Sequence, residues 1–131
     1  MPADPRTRAL RERGAREVLA DHLERTARGD VEEDIARNFS PGVVVLTHRG
    51  MLRGHQGVRV GRALSSRDRI GPVRRAARTV GRYAQVEWRA ESPRGPMEGV
   101  DTYVIRDGWV VIQALHPPRV APPRLDDRPE P

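Results

Sequence analysis

The sequence predicts an α+β domain in which helices in the N-terminal half precede a sheet of antiparallel strands. An apolar stripe at helical spacing runs through residues 15–26. An Asp107-Gly108 pair separates two β-rich runs near the C-terminus, which is a strong hairpin signal. With 131 residues, the chain is long enough for one domain with a real core. We expect that domain over residues 6–116, between disordered tails at 1–5 and at the proline-rich stretch 117–131.

Three helices are predicted. The first runs from Arg6 to Arg28 and ends at Gly29. Asp30 and Glu33 resemble a capping box that opens a second, shorter helix. The third is expected from His55 to Ser65. The buried stripe of the first helix consists of Ala15, Val18, Leu19, His22, Leu23 and Thr26.

Strands account for most of the remaining chain. An apolar run predicts a strand at 43–48, followed after Arg49-Gly50 by a short strand at 51–53. Residues 72–80 and 83–91 read as a hairpin around Gly81-Arg82. A loop at Ser92–Gly95 then leads into the final hairpin around Asp107-Gly108.

The register of the final hairpin predicts a candidate site. If Asp107 and Gly108 are its two loop residues, Asp101 faces Ala114 across the strands. Asp101 and His116 are then diagonal neighbours on one face, about 7–8 Å apart at the backbone, and form a candidate acid–base pair. The other residues of that face are Tyr103, Ile105, Val110, Ile112 and Ala114.

The preceding strand adds Trp88 to the face of Asp101 if the loop at 92–95 has four residues. A one-residue slip would put Glu87 there instead, so Glu87 stays the alternative. The opposite face of the final hairpin is too apolar to leave in water, which predicts a homodimer formed through it. Its apolar members are Val100, Val104, Trp109, Val111 and Leu115.

Composition narrows the function classes. The net charge is +6, and all 24 basic residues are arginine, which invites a nucleic-acid interpretation. The arginines are dispersed and only five residues are aromatic, too few for a base-stacking platform, so nucleic-acid association is the weaker alternative. The chain has no cysteine, no apolar secretory signal and no apolar run of membrane-spanning length, so a cytoplasmic protein is expected.

Several segments between Ala15 and His116 resemble the SnoaL-like branch of the nuclear transport factor 2-like superfamily. The most specific are Gly29–Arg59, Val86–Trp88 and the final hairpin with its GVDTYVIRDG and IQALH sequences. The resemblance implies a cone-shaped fold, in which three helices cover the concave face of a curved antiparallel sheet of five to six strands around an apolar cavity. The superfamily includes polyketide cyclases, ketosteroid isomerases, dehydratases, epoxide hydrolases and non-catalytic domains, so the fold leaves the function open.

The resemblance implies a role for Asp101, which occupies the place of an aspartate that ketosteroid isomerases keep protonated to bind an oxyanion. The isomerase base would lie near Thr47, and threonine cannot act as a base at neutral pH. We therefore expect a domain that binds a small apolar molecule, either non-catalytic or of unknown activity, with neither metal nor cofactor. The alternative is a small isomerase, cyclase or dehydratase for an apolar carbonyl compound, with Asp101 and His116 as its acid–base pair. The expected ligand-binding residues are His22, Thr47, Trp88, Tyr103 and Ile112.

Overall fold

The computed structural model describes residues 4–121, which form four helices and a curved, seven-stranded mixed sheet. The predicted α+β class and curved sheet are confirmed. None of the described helices is long and apolar enough to cross a membrane. The helices are α1 (Pro5–Arg11), α2 (Ala15–Arg28), α3 (Val31–Asn38) and α4 (Gly54–Ser65). The strands are β1 (Phe39–Thr47), β2 (Gly50–Arg53), β3 (Ile70–Val80), β4 (Tyr83–Ser92), β5 (Gly95–Arg106), β6 (Trp109–Leu115) and β7 (Arg119–Val120).

The strand order is β2-β1-β6-β5-β4-β3, with the short β7 paired to β5. All neighbours are antiparallel except β1 and β6, which are parallel. The expectation of a purely antiparallel sheet is therefore wrong at one pair. Hairpin signals fix the direction only of strands that follow each other in sequence, and β1 and β6 do not.

The predicted first helix is two helices, because the chain breaks at Gly14, whose extended backbone caps α2. Arg13 closes the end of α1: its Nε donates to the Leu10 carbonyl, and its Nη2 donates to the carbonyls of Arg37 and Gly108 at 3.1 and 3.0 Å. The break therefore lets α1 turn onto the tip of the β5–β6 hairpin.

The second predicted helix starts where expected, but its capping box is wrong, because the Asp30 carboxylate accepts from Arg25 at 2.9 Å.

The predicted tails differ from the structure where they fall within the described residues. Pro5 begins α1, and the Asp4 carboxylate caps that helix by accepting from the Thr7 amide at 2.9 Å. At the other end, β7 pairs with β5, and buried Ala121 donates its amide to the Pro96 carbonyl at 2.8 Å. Disorder is thus the wrong expectation for 117–121, and the remaining tail positions, 1–3 and 122–131, lie outside the described residues.

The β5–β6 register is only partly as predicted. Asp107 and Gly108 both have positive φ, as a two-residue hairpin turn requires, and Ile105 pairs with Val110 as expected. A bulge after Val110 then shifts the register by one residue, so Asp101 pairs with Leu115 instead of Ala114. Beyond the bulge, every β6 side chain lies on the face opposite to the predicted one.

This shift also changes the proposed dimer surface on the outer face of the sheet. Leu115 belongs to the buried core, and Trp109 lies beneath the guanidinium of Arg11, 3.8 Å from the ring centroid. Ile112 takes an outer position opposite Val104, with 37% of its surface exposed, near Leu46 on the neighbouring strand. The outer face is still partly apolar, and the homodimer stays a prediction.

Gly108 allows α1 to pack against the hairpin turn. A Cβ at this position would lie 2.1 Å from the Leu10 carbonyl oxygen, whereas a Cβ at Gly81, in the β3–β4 turn, would meet nothing within 4 Å. Both glycines have positive φ, so alanine should cost about 1–2 kcal/mol at either. Gly108→Ala should lose a further 1–3 kcal/mol or so through overpacking against α1, measured by chemical denaturation. Equal losses in the two variants would show that α1 does not pack on this turn.

Candidate functional site

A cavity of about 50 Å³ lies between the helices and the inner face of the sheet. The walls come from α2, from the C-terminal end of α4 with the loop that follows it, and from the inner faces of β3 to β6. Its volume is small beside a drug-sized pocket, but it exceeds the space that one water molecule needs. Its lining residues are His22, Leu23, Thr26, Arg62, Ser65, Arg69, Arg75, Val86, Trp88, Asp101, Tyr103, Gln113 and Leu115.

A chain of three buried side chains reaches the cavity from the helices. His22 Nδ1 donates to the two carboxylate oxygens of Asp34 at 3.0 and 2.8 Å, and the Tyr103 hydroxyl lies 3.2 Å from His22 Nε2. An ionised Asp34 requires a proton on Nδ1, and in the neutral imidazole this leaves Nε2 to accept from Tyr103. The order Asp34–His22–Tyr103 therefore fixes the tautomer and the orientation of the imidazole ring.

Asp34 is fully buried and still favours its ionised form. Burial by itself would raise the pKa of Asp34. Hydrogen bonds from His22, Asn38 and Arg62 outweigh burial and hold this pKa below its ordinary value. The carboxylate is thus a fixed negative charge behind His22.

Asp101 reaches the cavity from β5, and its environment favours the neutral carboxyl, whereas that of Asp34 favours the carboxylate. Its Oδ1 is buried and has no hydrogen-bond partner among residues 4–121. Burial raises the pKa of Asp101, and the positive charges of Arg69 and Arg75 only partly offset this. The structure therefore places a carboxyl group that resists ionisation in the same cavity as the His22 system.

Trp88 forms the wall beside Asp101. It pairs with Gly99 on β5, where a Cβ would come within 2.4 Å of the indole, so the missing side chain makes room for the ring. The indole Nε1 is buried without a well-aligned partner, although it lies close enough to Asp101 to favour the carboxylate. The guanidinium of Arg69 stacks on the same ring, 3.8 Å from its centroid.

Three arginines make the cavity polar. Arg62 pairs with Asp34, Arg69 stacks on Trp88, and Arg75 extends from the inner face of β3, where it lies opposite Trp88. The expectation of an apolar cavity is therefore wrong. Burial lowers the pKa of both Arg69 and Arg75, and the negative charge of an ionised Asp101 would oppose this shift.

Comparisons with known proteins agree on the architecture. A steroid delta-isomerase from Pseudomonas aeruginosa superposes with a TM-score of 0.65 at 21% identity, over 80% of this chain and 79% of that one. An NTF-2 like protein of unknown function from Burkholderia xenovorans LB400 gives 0.63 at 18% identity, over 82% and 87%. The chain has the nuclear transport factor 2-like (NTF2-like) fold.

A SnoaL-like polyketide cyclase described as putative, from Jannaschia sp. CCS1, shares the NTF2-like fold with a TM-score of 0.61 at 14% identity, over 77% of this chain and 85% of that one. No protein-family model and no curated protein matches the sequence. At these identities the structural likeness concerns the fold, and the NTF2-like fold carries several unrelated activities.

Four of the predicted site residues line the cavity of this NTF2-like domain: His22, Trp88, Asp101 and Tyr103. The predicted β4–β5 register is confirmed, because Val86 pairs with Asp101; this places Trp88 inside, and Glu87 is exposed on the other face. What these residues bind stays a prediction.

Three predicted site residues lie elsewhere. The bulge in β6 turns Ile112 to the outer face, and His116 is exposed beyond the end of β6, so the pairing of Asp101 with His116 is wrong. Thr47 is absent from the lining, because its hydroxyl belongs to the β1–β2 turn: it donates to the Gly50 carbonyl at 3.0 Å and accepts from the Arg49 amide at 3.1 Å.

Sequence reasoning missed Asp34, Arg69 and Arg75. Asp34 had a detectable signal, since Val31, Asp34, Ile35 and Asn38 follow helical spacing and form one stripe of α3. A carboxylate within an apolar stripe needs a buried partner. Arg75 had no such signal, because β3 reads VRRAARTV without a clear alternation of polar and apolar residues.

Within residues 4–121, no group of three or more histidine or acidic side chains is placed to hold a metal ion.

Proposed function

We propose that the cavity binds a small, polar carbonyl compound and that its side chains move a proton on it. The observation that carries this proposal is the buried chain Asp34–His22–Tyr103, which reaches the same cavity as the carboxyl of Asp101, whose Oδ1 has no hydrogen-bond partner among residues 4–121. A base held by an orienting carboxylate, in the same cavity as an acid with a raised pKa, suits proton transfer next to a carbonyl group. The arginine-lined walls favour a polar compound over the apolar one expected from the sequence.

The base in this proposal is His22, which acts through Tyr103. The Tyr103 hydroxyl passes its proton to His22 Nε2 while its oxygen accepts a proton from the ligand carbon. Burial raises the pKa of Tyr103 far above its ordinary value, so a free tyrosinate is disfavoured and the two transfers must be concerted. The ionised Asp34 stabilises the resulting imidazolium at hydrogen-bond distance.

The acid in this proposal is Asp101. Its protonated carboxyl donates a hydrogen bond to the carbonyl oxygen as negative charge develops there. Arg69 and Arg75 add positive charge to the same region, since each interacts electrostatically with Asp101. Reversing the two transfers returns the proton to a different carbon of the ligand, which completes an isomerisation. If His22 returns the proton through Tyr103 to a β-hydroxyl instead, that group leaves as water and the outcome is a dehydration.

The test follows turnover of β,γ-unsaturated ketones and β-hydroxy ketones, both of which form conjugated enones that absorb in the ultraviolet. His22→Asn keeps a side-chain donor for Asp34 and removes Nε2. It should lower kcat about 10²–10⁴-fold if His22 is the base. The matched control is His55→Asn, since His55 lies outside the cavity and contacts the Phe39 carbonyl at 2.8 Å. That control should retain wild-type turnover.

A second candidate function is non-catalytic ligand binding, which the small volume of the cavity favours. It would be supported if the wild-type protein converted none of these ketones and they still raised its melting temperature. Turnover that survives His22→Asn at the wild-type rate would contradict the assignment of His22 as the base.

A further inference from the structure

We infer that the ligand of this cavity carries a carboxylate group and that Arg75 and Arg69 bind it. This inference rests on the proposed function only for the location of the ligand. Nothing in the proton-transfer chain requires a charged ligand, so the two ideas can fail separately.

Arg75 is a charge whose electrostatic interaction with Asp101 is not reinforced by a direct contact. It is half-buried on the inner face of β3, and its side chain makes no hydrogen bond or ion pair within the described residues. By contrast, Arg62 in the same cavity is paired with Asp34. Withdrawing a guanidinium from water is unfavourable unless an anion or an acceptor meets it. An anion in the cavity would supply that partner.

Arg69 presents a second incomplete donor. Its Nη2 donates to the Ser65 hydroxyl at 2.8 Å, while its Nε is buried without a partner. Stacking on Trp88 fixes the guanidinium plane, which suits recognition of a planar carboxylate. The Nε1 of Trp88, a residue that is 2% exposed, is buried in the same wall without a well-aligned partner.

The charge balance favours an anionic ligand. Within residues 4–121, the guanidinium groups of Arg62, Arg69 and Arg75 face two carboxyl groups, those of Asp34 and Asp101. At least one positive charge is therefore uncompensated. A planar carboxylate can accept two parallel hydrogen bonds from a guanidinium, and a ligand of few heavy atoms suits a cavity of about 50 Å³. The unpartnered Oδ1 of Asp101 is then available to a hydroxyl or a carbonyl elsewhere on the ligand.

Trp88 provides a local probe of binding, since the chain contains only two tryptophans. A Trp109→Phe background leaves Trp88 as the only indole, and Trp109 lies outside the cavity under Arg11. In this background, crotonate and benzoate are titrated against their neutral isosteres crotonamide and benzamide, with inorganic phosphate as a further arm. We expect each acid to bind at least 10-fold more tightly than its amide and to change Trp88 fluorescence.

Arg75→Gln should remove that preference, weakening crotonate binding by 10-fold or more and leaving crotonamide unchanged. Arg75→Lys keeps the charge without the planar fork and should give an intermediate affinity, so it also serves if the glutamine variant folds poorly. The matched control is Arg74→Gln, which removes the same charge from the exposed outer face of β3. It should bind crotonate like the parent.

The outcomes separate the two proposals. Equal affinity for acids and amides, or an acid preference that survives Arg75→Gln, overturns the carboxylate inference and leaves the proton-transfer proposal intact. Tighter binding of phosphate than of crotonate also overturns it. The carboxylate inference is also overturned if the protein converts neutral ketones but binds neither crotonate nor benzoate. An acid preference that depends on Arg75, in a protein that turns over no ketone, supports the inference and contradicts the proposed catalysis.

Discussion

Asp34→Asn should lower the free energy of unfolding by about 3–5 kcal/mol, the usual cost of removing one partner from a buried ionic network. Asp34 accepts hydrogen bonds from His22, Asn38 and Arg62, all of which are donors at this site. An asparagine side chain has one acceptor oxygen and would turn its own NH₂ group toward at least one of them. The charge of Arg62 would then lack its partner beside a fully buried side chain.

The pH dependence of this variant gives an independent check. The pKa of Asp34 is lowered in the folded protein, so its carboxylate contributes stability above the unfolded value of about 3.9. That contribution is lost as the pH falls through the folded pKa. Asparagine does not titrate, so the stability difference between wild type and Asp34→Asn should be full at pH 7 and should shrink below pH 4 or so.

Glu33→Gln is the matched control for the change at Asp34. Glu33 is the preceding residue of α3, and its contact with Arg6 is a long 3.9 Å at the surface. Its loss should change stability by less than about 1 kcal/mol. Comparable losses from Glu33→Gln and Asp34→Asn in urea denaturation would show that Asp34 does not anchor a buried network.

The helices and the turns were largely predictable because their signals are local. Gly29 ends α2 with positive φ, and the Asp107-Gly108 turn has the conformation that this residue pair favours. Gly14 is also a local feature, but a single glycine within a helical pattern does not distinguish a tolerated residue from a break. The break at Gly14 depends on contacts of Arg13 with Arg37 and Gly108, which are distant in sequence.

The candidate site was only half predictable because one bulge decides which side chains of β6 enter the cavity. The stretch Val110–Leu115 is apolar at nearly every position, so its pattern does not specify a register. The bulge exchanges Ile112 for Gln113 and brings Leu115 to the inner face. On β4 the alternation of Val86 and Trp88 with polar neighbours is clear, and the register there was predicted correctly.

Asp101→Asn should lower kcat for the ketones about 10²–10⁴-fold, because an amide is a far weaker acid and donor than a protonated carboxyl. The same variant should be more stable than the wild type at neutral pH. Burial raises the pKa of Asp101, so its contribution to stability is present below the unfolded value of about 3.9 and is lost as the pH rises through the folded pKa. An asparagine side chain is neutral at every pH, so the variant does not lose this stability as the pH rises.

The two effects of Asp101→Asn distinguish an acid with a raised pKa from an ordinary ion-pair partner of Arg69 and Arg75. Thermal unfolding at pH 3 and pH 7 should show a gain in stability for Asp101→Asn at pH 7 that nearly vanishes at pH 3. Glu87→Gln serves as the control, because Glu87 is exposed on the outer face of β4 and should leave both turnover and stability near wild type. If Asp101→Asn were less stable than the wild type at pH 7, the carboxylate would be acting as the counter-ion of the two arginines. The proposed proton donor to the carbonyl oxygen would then be missing.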